Sequence, residues 1–407
     1  GDADAIKCGS YTGNGGHVDI DLGWEPQWVL VKKATGTGNW TILDTMRGWV
    51  NGGGNVDQQL YPNLSDSETA YELGHPTATG WKEKSNTTTG QTYIYMAIRR
   101  GPLAPPTAGT EVFNIATRAN GNPEFVAGFP VDMNIFTGRT SGYNWTTTRL
   151  NAKRYLVTSS SSNEAASSNM AFDYQNGIWS GSTTDATQLS WMWKRAPSFF
   201  DVVAYTGNGT AGRTVSHNLT VAPEMIWVKN RSRGRSWVVY HTATGNTGFL
   251  KLNETLALIT SGSQNRFGNG TVGVSPTASN FTVATNQDVN YSGDTYISYL
   301  FASLPGISKV GSYTGTGNTL NIDCGFTSGA RFVLIKNTNG GNWYVYDTAR
   351  GIVPGNDPAL ELNTTSAEDN QYDSIDPYSA GFTLTAYSGS SPALNEPSEP
   401  FIFYAIA

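Results

Sequence analysis

The chain has 407 residues and a formal charge of −6, from 26 basic and 32 acidic residues, and only 14% of it is charged. A chain of this length exceeds what one hydrophobic core organises. An acidic balance with no basic cluster argues against nucleic acid as the main partner, and no apolar run reaches the roughly eighteen residues of a membrane span. Polarity comes from Gly, Ser, Thr and Asn, with aromatics at 12%, a composition of strands and tight turns.

The chain opens on GDADAIKCG rather than on Met and carries no secretion signal, so it reads as a processed or trimmed product. In the first unit, residues 1–103, GSYTGNG (9–15) leads to an apolar strand, WVLVKK (28–33), and then to Asn39-Trp40. DTMRG (44–48), LYPNLSDSE (60–68) and PTATGW (76–81) follow, and YIYMAIRR (93–100) closes the unit. RRGPLAPP (99–106) is a linker in which proline stops a ladder.

The second unit, 104–197, begins with an unmatched stretch, TAGTEVFNIATRANGN (107–122). It resumes with FPVDMNIF (129–136), Asn144-Trp145, YLVTSSSSNEA (155–165), DYQNGIW (173–179) and LSWMWKRA (189–196). The third, 198–305, reads DVVAYTGNG (201–209), MIWVKN (225–230), Ser236-Trp237, LKLNETLA (250–257), PTASNF (276–281) and YISYLFAS (296–303). The fourth, 306–407, reads GSYTGTG (311–317), FVLIKN (332–337), Asn342-Trp343, DTARG (347–351), LELNTTSAE (360–368), DPYSAGF (376–382) and FIFYAIA (401–407). RAPS (195–198) and SLPG (303–306) join these units. The same motifs recur in the same order four times, which is the signature of a tandem array.

Alternation places Tyr93, Tyr95 and Ala97 on one face of a strand and Ile94, Met96 and Ile98 on the other. Both faces are apolar, as in a sheet covered on both sides. Turn signals are frequent and no segment has helical periodicity. The expected fold is all-β: four tandem β-sandwiches of jelly-roll or lectin-like type, held as a fixed string by short linkers. An immunoglobulin-like sandwich is the runner-up, but no cysteine pair brackets a tryptophan.

Trp40, Trp145, Trp237 and Trp343 are structural anchors by their recurrence. Trp24, Trp49, Trp81 and Trp179 vary more, and are the ligand-binding candidates as sugar-stacking platforms. Asp44 with Arg47, and Asp347 with Arg350, read as ion pairs at turns. Cys8 and Cys324 sit at non-equivalent positions and read as small buried hydrophobes rather than a disulfide. His17, His75, His217 and His241 lack partners at metal-ligand spacing. No nucleophile, zinc-protease, Walker or CxxC motif occurs. Glu361 and Glu368 (with Glu68 matching Glu368) are the candidates for a glycosidase pair, and acidic loops at 355–358, 369–373 and Asp376 are candidates for calcium without EF-hand spacing. No catalytic residue, metal or cofactor is assigned. The sequons at Asn39, Asn63, Asn144, Asn218, Asn253 and Asn363 follow from composition.

DVVAYTGNGTAGRTVSHNLTVAPEMIWVKNRS (201–232), KVGSYTGTGNTLNIDCGF (309–326), FVLIKNTNGGNWYVYDTARGIV (332–353) and YQNGIW (174–179) resemble a repeat family of tail-fibre and virion structural proteins from marine and cyanobacterial bacteriophages. The resemblance implies lectin-like sandwiches on a virion surface, with other virion subunits, copies of this chain and a host-surface polysaccharide as partners. It assigns no ligand residues. The expected function is host attachment by tandem weak sites. The alternatives are a capsid or tail decoration protein and a polysaccharide-degrading enzyme.

Overall fold

The computed structural model describes residues 4–51, 57–84, 87–151, 153–167, 170–180, 186–260, 265–269, 272–389 and 392–407. Alternating apolar residues, broken by glycine turns, fold each unit into a large antiparallel sheet backed by a small one. The chain is all-β, and its described helical residues are confined to three short 3-10 turns.

Unit 3 shows the plan. Its large sheet runs Phe200–Thr206, Thr295–Phe301, Met225–Asn230, Val238–His241, Gly245–Lys251, and its small sheet pairs Arg213–Ser216 with Asn280–Val283. Unit 4 repeats it with Ser308–Thr314, Pro400–Ile406, Phe332–Asn337, Trp343–Asp347 and Leu360–Glu361 over a three-stranded small sheet. Units 1 and 2 add a sixth strand to the large sheet, Thr69–Tyr71 and Ala165–Ala166 respectively. In all four, the closing strand lies between the first and the apolar one, so every unit is tied shut by its last residues.

The YTG motif has a packing cause. Tyr205 stacks on Tyr296 at 5.1 Å, Tyr313 on Phe401 at 4.9 Å, and Tyr11 on Tyr93 at 5.2 Å. The glycine that follows passes against the opposite loop. A Cβ on Gly207 would meet Tyr291 O at 2.0 Å, and one on Gly315 would meet Glu396 O at 2.0 Å, so only glycine fits.

Each large sheet has two apolar faces. The inner face packs on its own small sheet, as Val203, Ile226, Val228 and Leu300 do in unit 3. The outer faces of units 2, 3 and 4 are buried against one another in a single central core. Phe332 of unit 4 lies 5.9 Å from Trp191 and 5.6 Å from Trp193 of unit 2, and Tyr404 lies 5.0 Å from Phe301 of unit 3. These three units are therefore fused rather than strung out, which the linker reading did not anticipate.

The junctions repeat one contact set. The backbone N–H groups of Glu368, Glu164 and Leu258 donate to the carbonyls of Arg139, Arg231 and Thr338 at 2.8, 3.0 and 2.7 Å. These bonds run from unit 4 to unit 2, from unit 2 to unit 3 and from unit 3 to unit 4, closing a ring. Trp237 Nε1 donates to Val157 O at 2.9 Å and Trp343 Nε1 to Lys251 O at 3.0 Å. Lys229 Nζ reaches Ser161 O and Lys336 Nζ reaches Thr255 O. Within their own units, the N–H groups of Trp40, Trp237 and Trp343 donate to Asn63, Asn253 and Asn363. That bond explains the Asn in the short-strand motif that follows each of these tryptophans.

Trp145 differs from the other anchors. It pairs with Phe136, whereas Trp343 pairs with Lys336 and Trp40 with Lys32. A one-residue offset reverses the face, so Trp145 stacks on Phe136 inside unit 2. Asn144 takes the junction position, and its Nδ2 donates to the carbonyls of Glu361, Leu362 and Thr364.

Trp343 is 1% exposed. Trp343→Ala is expected to cost about 3–5 kcal/mol in urea unfolding, and units 2 to 4 are expected to melt in one transition because they share a core.

Candidate functional site

Unit 1 docks on the ring through buried charge. The Arg195 guanidinium grips Glu25 with Nη1–Oε1 at 2.7 Å and Nη2–Oε2 at 2.6 Å, and its Nε reaches Asp201 Oδ1 at 2.7 Å. Arg100 approaches both carboxylates, at 3.6 and 3.4 Å. Asp201 also accepts the Asn218 N–H at 2.7 Å. Burial alone would raise the Asp201 carboxyl, but Arg195 and Arg100 outweigh it and hold it below the usual range. A cleft of about 480 Å³, lined in part by Trp28, Met46, Asp132 and Gln175, opens beside this network.

On the other side of the junction, units 1, 2 and 3 converge on an open cleft of about 520 Å³. The strand Gly80–Glu83 positions its first wall. Trp81 and Glu83 point inward, where Trp81 Nε1 donates to Glu83 at 3.2 Å. The alternate residues Lys82 and Lys84 therefore face the cleft. Lys84 pairs with Glu72, and Lys82 lies 4.0 Å from Asp19. Unit 2 supplies Arg154, Asn163 and Glu164, and unit 3 supplies Thr206, Arg231, Ser232 and Thr295. Arg231 grips Glu164 with Nε–Oε1 at 2.9 Å and Nη2–Oε2 at 3.0 Å.

The lining sets Lys82, Lys84, Arg154 and Arg231 against Glu72 and Glu164, an excess of cations, with Arg154 also 3.8 Å from Glu164. Burial, and then Lys82, Arg231, His17 and Lys84, pull His75 down to about 4, so it is neutral near pH 7. The lining combines cations with hydroxyls and amides, which suits an oxygen-rich anionic ligand. The sequence carried only half of the signal, the alternation WKEK (81–84). The residues from units 2 and 3 arrive through tertiary packing.

The predicted ligand platforms lie elsewhere. Trp24, Trp49 and Trp81 are in the inter-sheet core of unit 1, and Trp179 is half-buried with its backbone bridged to Ala171. Large flat side chains in half-covered strands are the first to be drawn into a core, so none of the first three offers a stacking face. Of the histidines, His241 is buried and pushed down to about 4, and His217 is also lowered by burial.

The glycosidase candidates are each engaged in local bonds. Glu361 accepts from Asn342 and Thr364, while Glu368 is held by Arg139 and Arg350. Glu68 meets Arg47 at 3.2 Å, Asp44–Arg47 closes at 2.6 Å and Asp347–Arg350 at 2.7 Å. Asp357, from the first acidic loop, accepts backbone N–H groups of Val353, Ser374 and Ile375. Among the described residues no cluster of metal-ligating side chains occurs. Cys324 is buried and pushed up to about 12 by that burial, but Cys8 is exposed, contrary to the reading of both as core residues, and the two are not bonded.

Arg195→Met leaves buried Glu25 and Asp201 with only the longer contacts of Arg100, and is expected to destabilise the junction by about 3 kcal/mol in thermal or urea unfolding. Burial raises Asp57 to about 7 against the bonds it accepts from Leu73 and Val50, and raises Glu83 to about 7 with Asp57 adding to it. The folded state therefore keeps protons that the unfolded chain has lost. Unit 1 is expected to lose stability as pH rises from the ordinary carboxylate range, about 4, to about 7, and Glu83→Gln to flatten that slope in melts followed across pH.

No curated protein matches this chain. A family profile described as a domain of unknown function (DUF7483) matches residues 6–102 and 134–407. The unmatched interval contains the stretch 107–122, where the repeat pattern is lost, and the match takes in most of all four units. The chain belongs to this DUF7483 family.

Proposed function

We propose that the protein is a non-catalytic attachment component of a virion, of tail-fibre type, that binds an acidic polysaccharide on the host surface. The observation that carries this reading is the cationic cleft where units 1, 2 and 3 meet. Its volume suits a short saccharide. Lys82, Lys84 and Arg154 present charge to carboxylate or phosphate groups, while Asn163, Ser232 and Thr295 present hydroxyl- and amide-type partners to sugar oxygens. The engagement of Glu361 and Glu368 in local bonds supports recognition without cleavage. The resemblance of units 3 and 4 to phage fibre repeats supports the virion setting.

An array of acidic and neutral polysaccharides tests this reading. The protein is expected to retain acidic ones, with affinity falling as salt is raised. Replacing both Lys82 and Lys84 by Ala is expected to weaken that binding at least tenfold with the fold intact. Equal binding by the double variant, or capture of neutral glycans alone, sinks the proposal.

A further inference from the structure

Unit 1 has the same outer sheet face as its sisters, but among the described residues that face is only partly covered. Ladder pairings give the correspondence. Ile94, Met96 and Ile98 stand where unit 3 has Ile297, Tyr299 and Phe301 and where unit 4 has Ile402, Tyr404 and Ile406. Those six counterparts are at most 3% exposed and belong to the central core. Ile94 is 40% exposed, and Ile6, the counterpart of Phe200, is 44% exposed. Trp40 is 37% exposed, whereas Trp237 and Trp343 are buried at ring junctions.

The polar half of the junction is present as well. Lys32 Nζ bonds Gly38 O just as Lys336 Nζ bonds Gly341 O, so the lysine is already posed as in unit 4. By the same register, Gly38 corresponds to Gly341 and Gly142, whose N–H groups donate to Thr255 O and Thr365 O across the junctions. On the accepting side, Tyr61 corresponds to Val157 and Lys251, and Ser65 to Ser161 and Thr255, the carbonyls reached by the junction tryptophans and lysines. Glu68 and Ala34 correspond to the Glu368 and Arg139 pair and are both exposed.

We propose that unit 1 is an assembly site whose occupant is unit 1 of further copies of this chain, and that three copies close a second ring built like the one formed by units 2, 3 and 4. Each junction pairs one side of a unit with the opposite side of the next. Such a head-to-tail contact is satisfied by ring closure and leaves unpaired ends in a two-fold dimer. The internal ring shows that these sheets close at three. In the assembly Trp40 donates its indole N–H to Tyr61 O of the next copy, and Ile94 and Met96 meet their equivalents at the centre. This inference is independent of the saccharide reading, since the cleft lies on another part of unit 1.

Light scattering on the full chain after size-exclusion chromatography tests it, together with the rate of thiol labelling. Cys8 corresponds to Val202, which is fully buried in the central core, so it becomes a reporter of closure. The expected mass is three times the 43.8 kDa chain, with Cys8 labelled at least tenfold more slowly than in Ile94→Glu, which is expected to run as a folded monomer. Ile6→Glu, at a more exposed position, repeats the test should Ile94→Glu misfold. A wild-type monomer or dimer at micromolar concentration overturns the proposal. So does a trimer that survives both substitutions with Cys8 freely labelled.

Discussion

The mutual burial of three sheet faces is the constraint on which the architecture depends. A sandwich ordinarily hides one face of each sheet and leaves the other to solvent. Here the large sheets of units 2, 3 and 4 carry aromatics on both faces, and the second face has no cover except its sisters. Phe113, Trp191, Trp193 and Tyr404 gather around Phe332 with their ring centroids 5.4 to 6.3 Å from its own, all in edge-on arrangements. That geometry is favourable for aromatic quadrupoles.

Buried charges at the seams then decide register. Arg231 with Glu164 joins units 3 and 2, and Arg195 with Glu25 and Asp201 joins units 2, 1 and 3. A pair of this kind adds little net stability over an apolar substitute, but a junction displaced by one residue leaves an ion without its partner in low dielectric, which costs several kcal/mol, roughly 3–5. Apolar faces alone permit sliding, and the ion pairs remove that freedom. Trp145 and Asn144 show how fine the control is: one residue of offset sends an indole to the inner face and brings an amide to the junction, where it bonds three carbonyls of unit 4.

Local chemistry was legible in the sequence. Alternation in YIYMAI divided the residues between the two faces correctly, but the expected cover on both sides fails in unit 1, where Ile94 is 40% exposed; the YTG turns, the all-β class and the Asp-Arg turn pairs follow from neighbours a few residues apart. The two-sided apolarity was also visible, but a single sequence does not say whether the second face meets a sister unit, another chain or solvent. For that reason Trp24, Trp49 and Trp81 could be mistaken for exposed platforms, and Cys8 for a buried residue. The cleft lay beyond reach because Lys82, Arg154 and Arg231 are brought together by three separate units.

The order of the ring has a consequence for biosynthesis. Unit 2 bonds to unit 4, so the sheet containing Trp191 and Trp193 is complete long before Phe332 and Tyr404 leave the ribosome. At typical elongation rates that interval is roughly ten to forty seconds. During it the nascent polypeptide displays a broad apolar surface that no sister sheet yet covers.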